Sequence, residues 1–260
     1  MRTAEASPMA PPVPQELPTS DELLAMGVQG RQRLAAERSQ EEIGRLLAAT
    51  PQDALVAMGR QGVAALRTYR ARLLKQERIN GKLVEPQALD ITVQADCRAF
   101  RIDFVKGPAK GRRVLYNAEL RPTELRVKEA GMLGLAGALW IDLDNPMTRR
   151  DTNHRASELG FLALLDLIDA DMKRAQAGGG HSRRDEGIGK TGLFGSVYTA
   201  PKDLPGLYAV STRIGFELAS SLLMEVEVTD REGLLETYRY ESVSSVSLAP
   251  DFFTPKAAGL

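Results

Sequence analysis

Residues 68–95 read TYRARLLKQERINGKLVEPQALDITVQA, and they decide the fold class. Thr68 to Ile79 forms a long candidate strand that ends at Asn80-Gly81. Asn-Gly takes the positive φ angles of a type I′ turn and is the strongest short-range signal for a hairpin. Beyond it Leu89, Ile91, Val93 and Ala95 alternate with Asp90, Thr92 and Gln94. That period of two places one face of a strand on a dry core and the other in water.

Downstream the alternation continues. Phe100, Ile102 and Phe104 stand against Arg101 and Asp103, then come Val114 and Tyr116, then Leu125 and Val127 between Glu124, Arg126 and Lys128. Gly107-Pro108 and Arg121-Pro122 mark the turns, so the segment reads as an antiparallel meander. Gly131 to Trp140 spaces glycines among apolar residues and reads as a buried strand, with a lip at a cavity mouth as the alternative. Ser157 to Arg174 returns to helix: Ser157 can cap it, and Phe161, Leu164, Leu165, Ile168 and Met172 form an apolar stripe that needs a sheet to cover. Residues 178–192 read as a mobile glycine-rich loop. Strands are predicted near 193–199 and 206–214, around Met224, Val226 and Val228, and at 234–241, giving a sheet of eight to ten strands.

Upstream, Thr19 with Glu22 and Ser39 with Glu42 have the spacing of capping boxes. Thr50-Pro51 reads as a cap before a proline at the first position of a helix over about 51–66. The first twenty residues lack the apolar core of a signal peptide and are rich in Pro and Ala, which reads as an extended tether left after signal removal. The predicted division is a tether over 1–18, extra N-terminal helices over 19–50, and a sheet domain over 51–255.

Bulk properties exclude several classes. Hydrophobic residues make up 43% of the 260 and charged residues 26%, ordinary values for a globular chain. Lys plus Arg equals Asp plus Glu, at 34 each, so no net charge draws the chain to nucleic acid. The charge is uneven, however: residues 60–128 carry +9, between flanks of −3 and −6. Such a segment suits an anionic partner such as lipid phosphate, or else a solvated sheet face. No apolar run reaches the roughly 18 residues of a spanning helix. Cys97 is the single cysteine, which excludes an internal disulfide and reads as a small buried group or a turn residue.

The order helices, meander, helix, meander resembles the superfamily of periplasmic outer-membrane lipoprotein carriers (LolA/LolB-like), and more closely an uncharacterised bacterial family related to them. The resemblance runs from about Leu66 to Phe253. It rests on Thr68-Tyr69-Arg70-Ala71, Lys75 to Leu83 and Lys110 to Tyr116, then on Asp230 to Gly233, Leu235 to Glu241 and Asp251-Phe252-Phe253. It implies an α+β fold, a strongly curved antiparallel sheet forming a half-open barrel covered by helices. It also implies a location in the periplasm or cell envelope, with a lipid, a lipidated protein or an envelope protein as partner. The helices before Pro51 and the lack of a proline-containing segment over 213–222 depart from the carrier pattern.

The residues expected to line an acyl-binding face are Phe100, Ile102, Phe104, Tyr116, Leu125, Val127 and Trp140, with Phe161, Leu165 and Ile168 from the covering helix. The same side chains would equally fill a closed core, in which case the chain is a structural or protein-interaction module. Catalysis has little to stand on. Gly187-Ile188-Gly189-Lys190-Thr191 lacks the first glycine of a P-loop, where Arg184 stands instead. His154 and His181 have no metal-ligand spacing to a second His or Cys, and no Gly-x-Ser-x-Gly elbow is present. His154, in the polar stretch Arg149 to Arg155, reads as part of a hydrogen-bonded loop, and Asp142 and Asp144 as strand-end aspartates; His154 beside Asp151, or the two aspartates, are the residues an enzyme on this scaffold would use. No cofactor is expected.

Overall fold

The computed structural model describes residues 16–201, 204 and 206–260. Most of the predicted tether, residues 1–15, lies outside them. Four helices come first: α1 (Ser20–Ala25), α2 (Gly27–Glu37), α3 (Gln40–Ala49) and α4 (Gln52–Leu66). Both capping boxes form, each hydroxyl accepting from the backbone N–H three residues on. Thr50 ends α3 rather than starting α4: its hydroxyl donates to the Leu46 carbonyl at 2.8 Å, and Pro51 precedes the first turn of α4.

The meander follows as β1 (Thr68–Ile79), β2 (Lys82–Leu83), β3 (Gln87–Gln94), β4 (Ala99–Lys106), β5 (Arg113–Asn117), β6 (Glu124–Lys128) and β7 (Leu139–Asp142). Asn80 and Gly81 have φ of 51° and 76°, the turn that the dipeptide predicts. Helix α5 (Phe161–Ala177) crosses the sheet, and β8 (Ser182–Ile188), β9 (Phe194–Thr199), β10 (Ser211–Glu217), β11 (Leu222–Asp230) and β12 (Gly233–Ser245) complete it. A short helix, α6 (Pro255–Ala258), ends the chain.

All pairings are antiparallel, in the order β7-β6-β5-β4-β3-β1-β12-β11-β10-β9-β8, with β2 hydrogen-bonded to β1 alone. The ends of this path do not meet, so the curved sheet is an open half-barrel, as expected. It has twelve strands rather than eight to ten. The extra count comes partly from residues 182–188. The sequence places them in a loop because Ser-Arg-Arg-Asp-Glu-Gly carries no apolar alternation, yet they form the edge strand β8. That edge is blunted by α3, whose last carbonyls, at Leu47 and Thr50, accept from the Arg183 guanidinium at 2.9 and 2.6 Å. Helix α5 starts at Phe161 behind Gly160, not at Ser157, because Gly160 adopts φ 98° with its Cα facing the Tyr69 hydroxyl. Residues 131–136 form a 3₁₀ turn, not a buried strand.

One face of the sheet carries the main core. Leu73, Leu89, Ile91, Val93, Phe100 and Val226 join Leu23, Ile43, Leu46 and Leu47 of the N-terminal helices in a single buried cluster. Arg31 fastens those helices from inside. It is fully buried and donates to Ser221 Oγ at 2.7 Å, the Leu23 carbonyl at 2.7 Å and Gln61 Oε1 at 2.8 Å. The other face has a smaller cluster, Ala99, Leu115, Phe253 and Ala258, formed where the C-terminal turn folds back. Cys97 is a turn residue at φ 56°, its thiol donating to the Leu159 carbonyl at 2.7 Å. Burial pushes that thiol up to about 11.

Candidate ligand-binding site

The site grows out of strand parity. Cross-strand pairing lines up Ile91, Ile102, Val114, Val127 and Leu139 in one row across five strands, with Leu89 and Phe104 in the next. These side chains share a face because residues two apart on a strand point the same way. The segment 147–160 and the start of α5, through Leu164 and Leu167, lie over this row as a roof. Between floor and roof runs a cleft that is continuous with solvent. Its floor is apolar, from Leu73, Leu89, Phe104, Val114, Leu125 and Ile141.

One end of the cleft is polar. Glu77 and Glu236 face each other across β1 and β12 and are 1% and 2% exposed. Buried carboxylates are costly unless every oxygen finds a donor, and here donors converge. Glu77 accepts from Thr152 Oγ1 at 3.0 Å, the Asn153 backbone N–H at 3.1 Å, Lys75 Nζ at 3.2 Å and the Tyr238 hydroxyl. Glu236 accepts from the Tyr208 hydroxyl at 2.7 Å and meets His154 Nε2 at 3.0 Å from both oxygens. Burial works against protonation of His154, but the hydrogen bond and charge of Glu236, with Glu77 and Glu158, outweigh it and raise its pKa. Burial likewise opposes ionisation of Glu236, and its His154, Tyr208 and Asn153 contacts reverse the effect and lower its pKa. Burial and the two carboxylates push the Tyr238 hydroxyl well up, so it remains a donor. This network ties the roof residues Thr152 to His154 to the central strands. His154 therefore sits in a hydrogen-bonded segment, paired with Glu236 and, through Nδ1 at 3.4 Å, with Glu158, and not with Asp151. Asp151 lies with Arg112 at 3.0 Å and Arg150 at 3.3 Å.

Of the residues expected at the site, Ile102, Phe104, Leu125 and Val127 line the cleft. Phe100 and Tyr116 share that face but lie further along their strands, ring against ring at 5.2 Å in the packed core. Phe161 stacks at 4.1 Å on Tyr240, and Leu165 and Ile168 pack toward Leu223 beneath the helix. Trp140 is on the opposite face. Its partner in register is Arg126, and its ring packs against the guanidinium groups of Arg121 at 4.6 Å and Arg126 at 5.3 Å. The closed core and the cavity thus coexist: one end of the half-barrel is packed and the other is open. Sequence reasoning passes over Glu77 and Glu236. The available signal is a charged residue in the dry phase of a strand, Leu73-x-Lys75-x-Glu77.

His181 lies immediately before β8, its ring 5.5 Å from that of Tyr198, rather than in an open loop. Among the described residues no group of three His, Cys, Asp or Glu is arranged to hold a metal, and no helix is long and apolar enough to cross a membrane.

Fold and site together define an open antiparallel half-barrel with a helix-roofed apolar cleft and a polar latch at one end. The chain belongs to the DUF1571 family, described as a protein of unknown function, whose model matches residues 66–258. An uncharacterised family is what the sequence resemblance implied. No curated protein matches the chain. Among solved structures it is similar to an uncharacterized conserved protein from Thermus thermophilus, at 12% identity and TM-score 0.44, covering 79% of this chain and 95% of that one. A LolA superfamily protein from Nitrosomonas europaea matches at 9% identity and TM-score 0.35, covering 79% and 98%. A structure of the Pseudomonas aeruginosa MucA/MucB complex matches at 13% identity and TM-score 0.38, covering 77% and 60%. At these identities and scores no functional inference passes from those proteins to this chain.

Proposed function

We propose that this protein binds the acyl chain of a lipid or of a lipidated polypeptide in the cleft, without catalysing a reaction on it. The carrying observation is the roofed apolar floor of Leu73, Leu89, Phe104, Val114, Leu125 and Ile141, which is open to solvent at one side. Each methylene moved from water onto such a surface contributes about 0.8 kcal/mol. The non-catalytic reading is supported by the engagement of His154 and both buried carboxylates in fixing the roof. A bacterial periplasm or envelope location is part of the proposal and rests on the sequence resemblance alone; cell fractionation tests it.

The test of binding is native mass spectrometry with lipid extraction on gently purified protein, paired with uptake of a fluorescent fatty acid. Phe104→Glu and Leu164→Glu, one in the floor and one in the roof, are expected to lower uptake at least about tenfold, roughly two methylenes' worth of contact. Trp140→Ala, on the opposite face, is expected to leave uptake unchanged. An apo mass together with no uptake by the unaltered protein would sink the proposal.

A further inference from the structure

The 3₁₀ turn between β6 and β7 carries Met132, Leu133 and Leu135 at 86%, 74% and 86% exposure, the most exposed large apolar side chains among the described residues. Leu139, at 60%, extends the patch onto β7, and Met147, at 63%, is exposed where it lines the cleft. Water penalises such side chains, and contiguous apolar surface on a folded protein marks a contact site. The turn follows two residues after Glu129, itself part of the cleft lining, so the patch stands at the cleft's rim.

What surrounds the patch identifies its partner. The β4–β5 turn touches its base: a Cβ on Gly111 would stand 3.2 Å from the Ala130 Cβ. This turn carries Lys110, and the adjoining end of β6 carries Lys128, which faces Arg113 in register. Lys110 is exposed and Lys128 half-buried. Neither has a carboxylate partner among the described residues, and Glu129, next to Lys128 in the chain, is already paired with Arg112 at 2.9 Å. An apolar tip set among unpaired lysines matches a bilayer whose headgroups are anionic: leucine and methionine enter the acyl boundary and ammonium groups meet phosphates. A protein groove would satisfy the tip but would leave the lysines unmatched unless it were also acidic.

We propose that residues 131–136, with Lys110 and Lys128, form a docking surface for an anionic lipid bilayer. It sets the rim of the cleft at the membrane. The inference deepens the acyl-binding reading but does not depend on it.

The test is co-sedimentation of the full chain with vesicles of equal parts phosphatidylcholine and phosphatidylglycerol, and with phosphatidylcholine alone. Energy transfer from Trp140, the only tryptophan, to a dansyl lipid gives a second readout. Binding is expected on the anionic vesicles, to fall at least about tenfold in Leu133→Asp/Leu135→Asp and in Lys110→Glu/Lys128→Glu, and to weaken with salt. All substituted side chains are exposed or half-buried, so melting temperatures should hold, and fatty-acid uptake in solution should be unchanged by the Leu133/Leu135 variant. Vesicle binding that survives both variants, or equal binding to neutral vesicles, overturns the proposal. So does a Leu133/Leu135 variant that alters only the mass of the protein in solution, since the patch would then join two copies of the chain. Loss of fatty-acid uptake in Phe104→Glu with vesicle binding intact separates the two readings; absence of uptake in the unaltered protein, with vesicle binding intact, removes the cleft reading and leaves the surface standing.

Discussion

His154 holds the roof to the sheet by a charge pair whose strength depends on pH. Its folded pKa is raised above the ordinary 6.5, so its contribution is complete below 6.5 and is lost as pH rises through the folded value. The folded pKa of Glu236 is lowered below the ordinary 4.5, so its contribution is present above 4.5 and is lost as pH falls through the folded value. The gap in melting temperature between the natural chain and His154→Gln should therefore be widest between these two ordinary values and narrow toward alkaline pH. Removing one partner from a buried charge pair costs about 3–5 kcal/mol, less where, as with glutamine, a hydrogen-bond donor remains. A gap that stays flat from pH 5 to pH 9, about two units either side of neutral on the His scale, would show the pair to be uncharged. At this scale the sequence names the apolar half of the site and misses its acidic half. Ile102, Phe104, Leu125 and Val127 announce themselves by alternation, whereas Glu77 and Glu236 look like solvent-facing charges until pairing places them opposite each other. Sequence reasoning puts Trp140 on the wrong face because the irregular stretch 131–138 erases the phase; only the pairing of Trp140 with Arg126 restores it.

The elements differ in how much of themselves they disclose. Strands β1 and β3–β6 are legible because each keeps one dry face, and the turns between them use Asn-Gly and Gly-Pro. Strand β8 is not, since an edge strand with both faces wet has no period to read; tertiary contact with α3 makes it a strand. The packing of α4 also has no local signature. A Cβ on Gly62 would come within 2.5 Å of the Ser221 carbonyl oxygen, because the helix seats directly on the turn between β10 and β11. A Cβ on Gly59 would instead meet the far end of the Leu165 side chain at 2.8 Å. Backbone cannot step aside as a leucine methyl can. Gly62→Ala is therefore expected to cost about 1–3 kcal/mol and Gly59→Ala clearly less, a difference that urea titration of the two variants will read. Equal costs would mean that the turn at Ser221 yields.

Across the whole molecule, the helices before residue 50 and the half-barrel share one core rather than meeting at a boundary. Leu23, Ile43, Leu46 and Leu47 are buried in the same cluster as the sheet, and each such side chain contributes roughly 1.5–3 kcal/mol. Their sum is comparable with the entire stability of an ordinary domain, about 5–15 kcal/mol. Deletion of residues 1–50 should leave a chain without a cooperative melting transition, as followed by circular dichroism; a sharp transition near the original temperature would show that the helices are dispensable. The sequence displays these helices through their caps, but not where they dock, since Arg31 reaches a serine 190 positions away.

The central pair of the sheet is β1 with β12, joining residues 69–77 to residues 236–245. Consequently the sheet cannot be completed in the order in which a ribosome makes it. By the time β7 has emerged, half the sheet can form with an apolar face and with one edge of β1 unpaired at what will become its middle, and that edge must wait for β12. Folding that depends on such distant partners is slow, and the waiting edge is open to capture by other chains. The biosynthesis of this protein thus contains an interval of vulnerability, ended by the arrival of β12.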